Sequence, residues 1–248
     1  TRSRPSGRLR SAARTVGGGG GCETVEVRTP AAGQRRTDTA AERYDAVVLA
    51  GGRARRFGSD KLAADLAGRR LLDHALLTLA GLHAPPGPPD RIVVVGPPRP
   101  LPAGVSVRWC REDPPGGGPL AAVGAAAPLL GAPWVVIVAG DMPLAGHAVP
   151  DLVAAVTAPH APPWQAAVLV SADGRPQPLT CVLRRTALRD RLARLAPLDG
   201  RPARALLAGL RVAAVPEPEG TAWSADVDRP DDLAVAGPLV ARAAEQSP

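Results

Sequence analysis

A single lysine, Lys61, stands against 29 arginines in this 248-residue chain. It closes the stretch Leu49-Ala-Gly-Gly-Arg-Ala-Arg-Arg-Phe-Gly-Ser-Asp-Lys61. A lone lysine in so arginine-rich a text points to a site that needs a compact ammonium on a flexible stem, not a planar fork. Paired glycines Gly51 and Gly52 let backbone N–H groups approach phosphate oxygens. Arg53, Arg55, Arg56 and Lys61 surround them with positive charge. The spacing fits neither Gly-x-Gly-x-x-Gly nor the P-loop, so it supports neither a dinucleotide-binding fold nor a Walker-type NTPase. Read alone, it is either a phosphate cradle or a solvated basic loop.

Three further segments carry carboxylates or tight turns. Arg111-Glu112-Asp113 precedes Pro114-Pro-Gly-Gly-Gly-Pro-Leu120, where an acid beside a polyglycine turn either reads a base edge or simply shapes the turn. Gly140-Asp141-Met142-Pro143 follows a wholly apolar run. A hard carboxylate there suits Mg²⁺ shared with substrate phosphates, and the competing role is a turn cap. In Ser224-Ala-Asp226-Val-Asp228-Arg-Pro230 the two acids alternate, so an extended backbone puts them on one face with Val227 on the other. Either acid supplies a second carboxylate to one metal. Asp231 and Asp232 then fall in the first turn of a helix opened by Pro230, as dipole partners and not ligands.

These loops need elements to hold them. Ala46–Ala50, Ile92–Val95 and Trp134–Ala139 are short continuous apolar runs and read as buried strands. Val105–Trp109, Gln165–Val170, Leu179–Leu183 and Val212–Val215 add further strands. Leu62–Leu82 has leucine at helical spacing, split by Gly68. Leu120–Leu130, Val149–Thr157, Ala187–Leu195, Arg201–Leu207 and Pro230–Glu245 read as helices. Alternating apolar strands and helices imply an α/β fold: a mostly parallel, Rossmann-like sheet in a three-layer α/β/α sandwich, as a single domain. Ligands in such sheets bind beyond the carboxyl ends of strands, which is where these loops lie.

Composition narrows the function classes. Residues 1–43 hold nine Arg and four acids, whereas residues 44–248 hold 21 basic and 19 acidic residues. The basic excess therefore belongs to an Arg/Gly-rich tail with disordered composition, and the body over 44–248 is no nucleic-acid surface. Residues 114–140 carry no charge, but glycines and prolines interrupt them, so no membrane span is expected. Cys22, Cys110 and Cys181 fit neither a disulfide framework nor a metal spacing, and with no secretory signal visible the expected compartment is the cytoplasm. The four histidines are scattered, without a triad, and read as structural.

Taken together, the loops resemble the molybdenum cofactor guanylyltransferase family. Its Leu-Ala-Gly-Gly-x-Ser-x-Arg-Met-Gly-x-Asp-Lys signature is met by Leu49 to Lys61. Its acid and Gly-Pro-Leu turn are met by Asp113 and Gly118-Pro-Leu120, and its Asp-x-Pro loop by Asp141-Met-Pro143. Gln177-Pro-Leu179 and Asp226-Val-Asp228-Arg-Pro-Asp-Asp-Leu233 meet two further motifs, and the likeness runs from about residue 44 to 240.

The resemblance implies a nucleotidyltransferase that joins GTP and molybdopterin (as molybdenum cofactor), releasing pyrophosphate, with Mg²⁺ as cofactor. It implies nucleotide contacts through Leu49, Ala50, Gly51 and Gly52, and triphosphate binding by Arg56 and Lys61. Asp113 and Gly118 would meet guanine, while Asp141, also touching nucleotide, and Asp228 would hold the metal. Molybdoenzyme chaperones or apo-enzymes are the implied protein partners. Gly96 stands where some members carry Asn, and Asp226 and Asp228 replace Asn. The alternatives are a CTP-dependent molybdopterin cytidylyltransferase, another small-molecule phosphate nucleotidyltransferase, or a non-catalytic nucleotide-binding module.

Overall fold

The computed structural model describes residues 43–52, 57–58 and 60–246. The expected tail, apart from its last residue, and the expected triphosphate contact Arg56 lie outside the described residues.

Among the described residues nine strands and five α-helices follow in chain order: β1 (Tyr44–Leu49), β2 (Asp65–Leu66), β3 (Arg69–Arg70), α1 (Leu71–Ala80), β4 (Ile92–Val95), β5 (Arg108–Cys110), α2 (Pro119–Ala126), β6 (Trp134–Ala139), α3 (Val149–Thr157), β7 (Ala166–Val170), β8 (Pro176–Arg184), α4 (Arg185–Leu195), β9 (Val212–Pro216) and α5 (Pro230–Gln246). Seven strands form the main sheet in the order β5-β4-β1-β6-β8-β7-β9. β5, β4, β1 and β6 run parallel, as do β7 and β9, and β8 is antiparallel to both its neighbours. The reversal follows from chain length. Only the turn 171–175 joins β7 to β8, and a parallel pair needs a crossover of a dozen residues or more.

Apolar residues on both faces let the strands feed two cores. From β1, Ala46 and Val48 enter one core and Val47 the other; from β6, Val136 and Val138 oppose Val135 and Ile137. Leucines of α1 and α3 and Val240 of α5 fill the first core, while Leu120 and Val123 of α2 and Leu188 of α4 fill the second. This is the three-layer α/β/α sandwich, with the mostly parallel sheet in the middle.

Several local expectations shift, and the helix expected over Arg201–Leu207 is a 3-10 turn at Ala203–Leu206. The strand expected over Val105–Trp109 pairs only from Arg108 to Cys110. The stretch 62–82 is a single turn of 3-10 helix at Lys61–Ala63, the hairpin β2–β3 and then α1. Gly68 sits at the hairpin turn with φ of +82°, which explains why a helix cannot run through it. Asp45, wholly buried at the start of β1, accepts from the N–H groups of Gly131 and Ala132 and pairs with Arg91. That anchor lies at the strand's amino end, away from the loops at its carboxyl end.

Candidate active site

The carboxyl ends of β1, β5 and β6 open onto one cavity of about 500 Å³ lined by Leu49, Gly51, Gly52, Glu112, Gly118 and Asp141, among others. The chain enters it along β1. Leu49 O accepts from Gly140 N and Ala50 N donates to Val95 O, so the glycine-rich loop leaves the sheet between β4 and β6. Ala50 is buried and its carbonyl accepts from Arg99; it does not line the cavity. Gly51 and Gly52 are exposed there, and any phosphate contact of this turn falls to their backbone groups.

Gly96, after β4, packs against that turn. It has φ of +152°, and a Cβ on it would lie 2.5 Å from the carbonyl oxygen of Ala50. No side chain fits at this position, which makes the sequence departure from Asn a steric requirement here.

Lys61 heads the 3-10 turn, with Asp60 accepting from Leu62 N and buried Leu62 anchoring the backbone. Its ammonium donates to Asp141 Oδ2 at 2.6 Å and to Asp228 Oδ1 at 3.0 Å. The chain brings Asp228 there through Val227, which is fully buried and donates its N–H to Asp141 O. Asp226 and Asp228 therefore stay on the open side, as the alternation of residue types requires. Asp232 accepts from the N–H groups of Asp228 and Arg229 and so fixes the helix start.

The electrostatics of this cluster are mixed. Burial would lower the Lys61 pKa, but hydrogen bonds and charge from Asp141 and Asp228 outweigh it and hold it above the ordinary lysine value. Asp226 is raised, first by burial and then by the like charges of Asp228 and Asp141. Asp141 and Asp228 thus hold the ammonium directly, while Asp226 feels both carboxylates and Lys61 through charge. Both Asp141 and Asp228 converge on a single point that already accommodates a cation. A pair of hard oxygen donors of this kind fits Mg²⁺, which takes one or two carboxylates and completes its shell with water and phosphate oxygens.

Of the two neighbouring acids before the polyglycine turn, only one faces the cavity. Asp113 is exposed and does not line the cavity, whereas its neighbour Glu112 is buried and does. Glu112 Oε1 accepts from Gly116 N at 2.9 Å, and Oε2 is buried with no partner among the described residues. Alternation past β5 sets this outcome, with Cys110 and Glu112 turned in and Arg111 and Asp113 turned out. Gly118, with φ of +90°, caps α2 and opens the helix N-terminus toward the same space.

Two features were not anticipated from the sequence. Arg99 is a clamp across the glycine-rich loop, bonded to Asp60, Ala50 and Pro97, and nothing in the text distinguishes it from the other arginines. His74, His83 and His147, scattered in sequence, line a second cavity beneath α1 and α5. His74 Nε2 bonds to Leu66 O, and burial lowers the pKa of both His74 and His147. No cluster of three metal-ligating side chains occurs among the described residues. No helix among them is long and apolar enough to cross a membrane.

Residues 46–216 match the model of the MobA-like NTP transferase domain. The chain belongs to that family. It is 38% identical over 168 residues to a probable molybdenum cofactor guanylyltransferase of Mycobacterium avium, covering 65% of this chain and 79% of that protein. Among solved structures it is similar to molybdopterin-guanine dinucleotide biosynthesis protein A of Archaeoglobus fulgidus, with TM-score 0.60 and 22% identity over 80% of this chain and 99% of that one. It is also similar to 2-C-methyl-D-erythritol 4-phosphate cytidylyltransferase of Thermus thermophilus, with TM-score 0.55 and 20% identity over 79% and 98% of the two chains. These structural likenesses speak to the fold; membership of the family makes the protein a nucleotidyltransferase.

Proposed function

We propose that the enzyme transfers GMP from GTP to the phosphate of molybdopterin, releasing pyrophosphate and forming a guanine dinucleotide cofactor in the cytoplasm. The relatives' names support the acceptor, and the observation that carries the base is Glu112. A guanine edge offers N1–H and N2–H donors, and a buried carboxylate with one oxygen unpartnered among the described residues is the acceptor such an edge needs. Adenine presents a bare acceptor at N1 and would meet that oxygen with repulsion.

The reaction needs no protein nucleophile. An oxygen of the pterin phosphate forms a bond to the α-phosphorus, and the bond from that phosphorus to the bridging oxygen breaks as pyrophosphate leaves. Gly51 and Gly52 offer N–H groups to the phosphates, and Lys61, on a stem able to reach them, offsets the charge that develops on the leaving group. Arg56 belongs to the same basic loop and is proposed for the same task. Asp141 and Asp228 would hold Mg²⁺, which when bound neutralises phosphate charge as a Lewis acid.

The deciding experiment incubates the protein with Mg²⁺, molybdopterin and each nucleoside triphosphate and measures pyrophosphate. Release with GTP alone is expected. Release with CTP and not GTP would replace this reading with the cytidylyltransferase one. Binding of GTP without turnover would make the chain a nucleotide-binding module.

A further inference from the structure

Lys61 occupies the point on which Asp141 and Asp228 converge, 2.6 Å from one carboxylate and 3.0 Å from the other. The ammonium is well shielded, with its side chain 17% exposed, and the two acids are more open at 28% and 46%. A divalent ion ligated by the same two carboxylates would lie within a few ångströms of that ammonium. Two cations cannot share the point without strong repulsion. The backbone at Lys61 is fixed by Leu62 and Asp60, but the four-carbon stem is not, so the ammonium can leave without moving the main chain. What it needs is another anion. The glycine turn at Gly51 and Gly52, which lines the cavity together with Asp141, is where a triphosphate would supply one.

We propose that Lys61 is the resident cation of the metal site in the nucleotide-free protein, and that it makes divalent-metal binding conditional on the nucleoside triphosphate. This rests on the reading of Asp141 and Asp228 as the metal-holding pair. Arrival of the phosphates draws Lys61 across, and the two carboxylates it leaves accept the metal together with phosphate oxygens. By reciprocity, bound metal raises nucleotide affinity by the same factor that nucleotide raises metal affinity. The device keeps Asp141 and Asp228 compensated while the site waits.

The test is titration of the nucleotide-free full chain with Mn²⁺, followed by electron paramagnetic resonance of free Mn²⁺. Wild type is expected to bind weakly, and Lys61→Met to bind at least ten-fold more tightly. Lys61→Arg, which keeps a cation between the acids, should stay weak. Arg229→Met removes the exposed charge next in sequence to Asp228 and should change Mn²⁺ affinity less than three-fold. Thermal melts confirm folding of each variant. Equal Mn²⁺ affinity in wild type and Lys61→Met, lost in both on Asp141→Asn, would overturn the gate and leave the metal reading standing. No Mn²⁺ binding sensitive to Asp141→Asn in any variant, with or without GTP, would overturn both.

Discussion

Arg99 grips Asp60 with two guanidinium nitrogens, Nε and Nη2, each 2.9 Å from a different carboxylate oxygen. Its remaining nitrogen donates to the carbonyls of Ala50 and Pro97 at 3.1 Å. One side chain therefore ties the residue that opens the glycine-rich loop to the residue that closes it, next to Lys61. A bidentate pair of this geometry cannot be reproduced by lysine.

The first prediction concerns that clamp. Arg99→Lys and Asp60→Asn should each raise KM for the nucleotide by about ten-fold with a smaller effect on kcat, because they loosen the loop and touch no reacting atom. The double variant should lose little more than either single one, with a coupling of about 0.5–3 kcal/mol in a double-mutant cycle. Additive losses would mean the two side chains act separately. The clamp also has a pH signature. The Arg99 hydrogen bond holds the Asp60 carboxyl below its ordinary value of 3.8. Its contribution to stability is therefore fully present above that value and is lost as the pH falls below it. Wild type and Arg99→Lys should accordingly converge in thermal stability only in strong acid.

A second prediction separates two adjacent acids. Glu112→Gln preserves an acceptor for Gly116 N but turns a donor toward the guanine donors. It should lower kcat/KM for GTP by on the order of 10- to 100-fold while the melting temperature changes little. Asp113→Asn, on the exposed side, should leave base preference as in wild type. Steady-state rates with GTP and CTP for both variants check this; loss of preference at Asp113 alone would return the base contact to that residue.

Third, Lys61→Arg keeps the charge and should still lose at least ~100-fold in kcat/KM. Asp141 and Asp228 share the single Lys61 nitrogen, and a fork that binds both carboxylates would be held too firmly to pass to the triphosphate. Near wild-type turnover would show that any cation serves.

Fourth, Asp141→Ala should reduce turnover by ~100-fold or more, several kcal/mol of transition-state stabilisation, with the sheet intact. The fold should survive because only the side chain is lost: Asp141 O still accepts from Val227 N. Far-ultraviolet circular dichroism and a pyrophosphate assay on the same preparation decide it.

The legible parts of the sequence are those whose physics is local. Ile92–Val95 and Trp134–Ala139 announce buried strands because every residue is apolar, and the alternation at Asp226-Val227-Asp228 announces which side faces out. The reversed direction of β8 was also latent in the short turn 171–175, although apolar content alone suggested only another strand. What could not be read depends on distant pairing. Glu112 and Asp113 differ by one step along an extended chain. The one that turns inward is set by the register of Cys110 against Val95. Lys61 meets Asp228 across 167 residues, and Arg99 meets Asp60 across 39, so neither contact leaves a local mark. The loop residue Arg56, legible by resemblance, lies outside the described residues.

Gly96 has an implication for redesign. Because a single added carbon would collide with the carbonyl of Ala50, no side chain can be introduced at that station by one substitution. The junction after β1 would first have to move, and Arg99 holds the same carbonyl. Two neighbours thus constrain one oxygen, and a contact to the nucleotide has to be built from elsewhere on the rim.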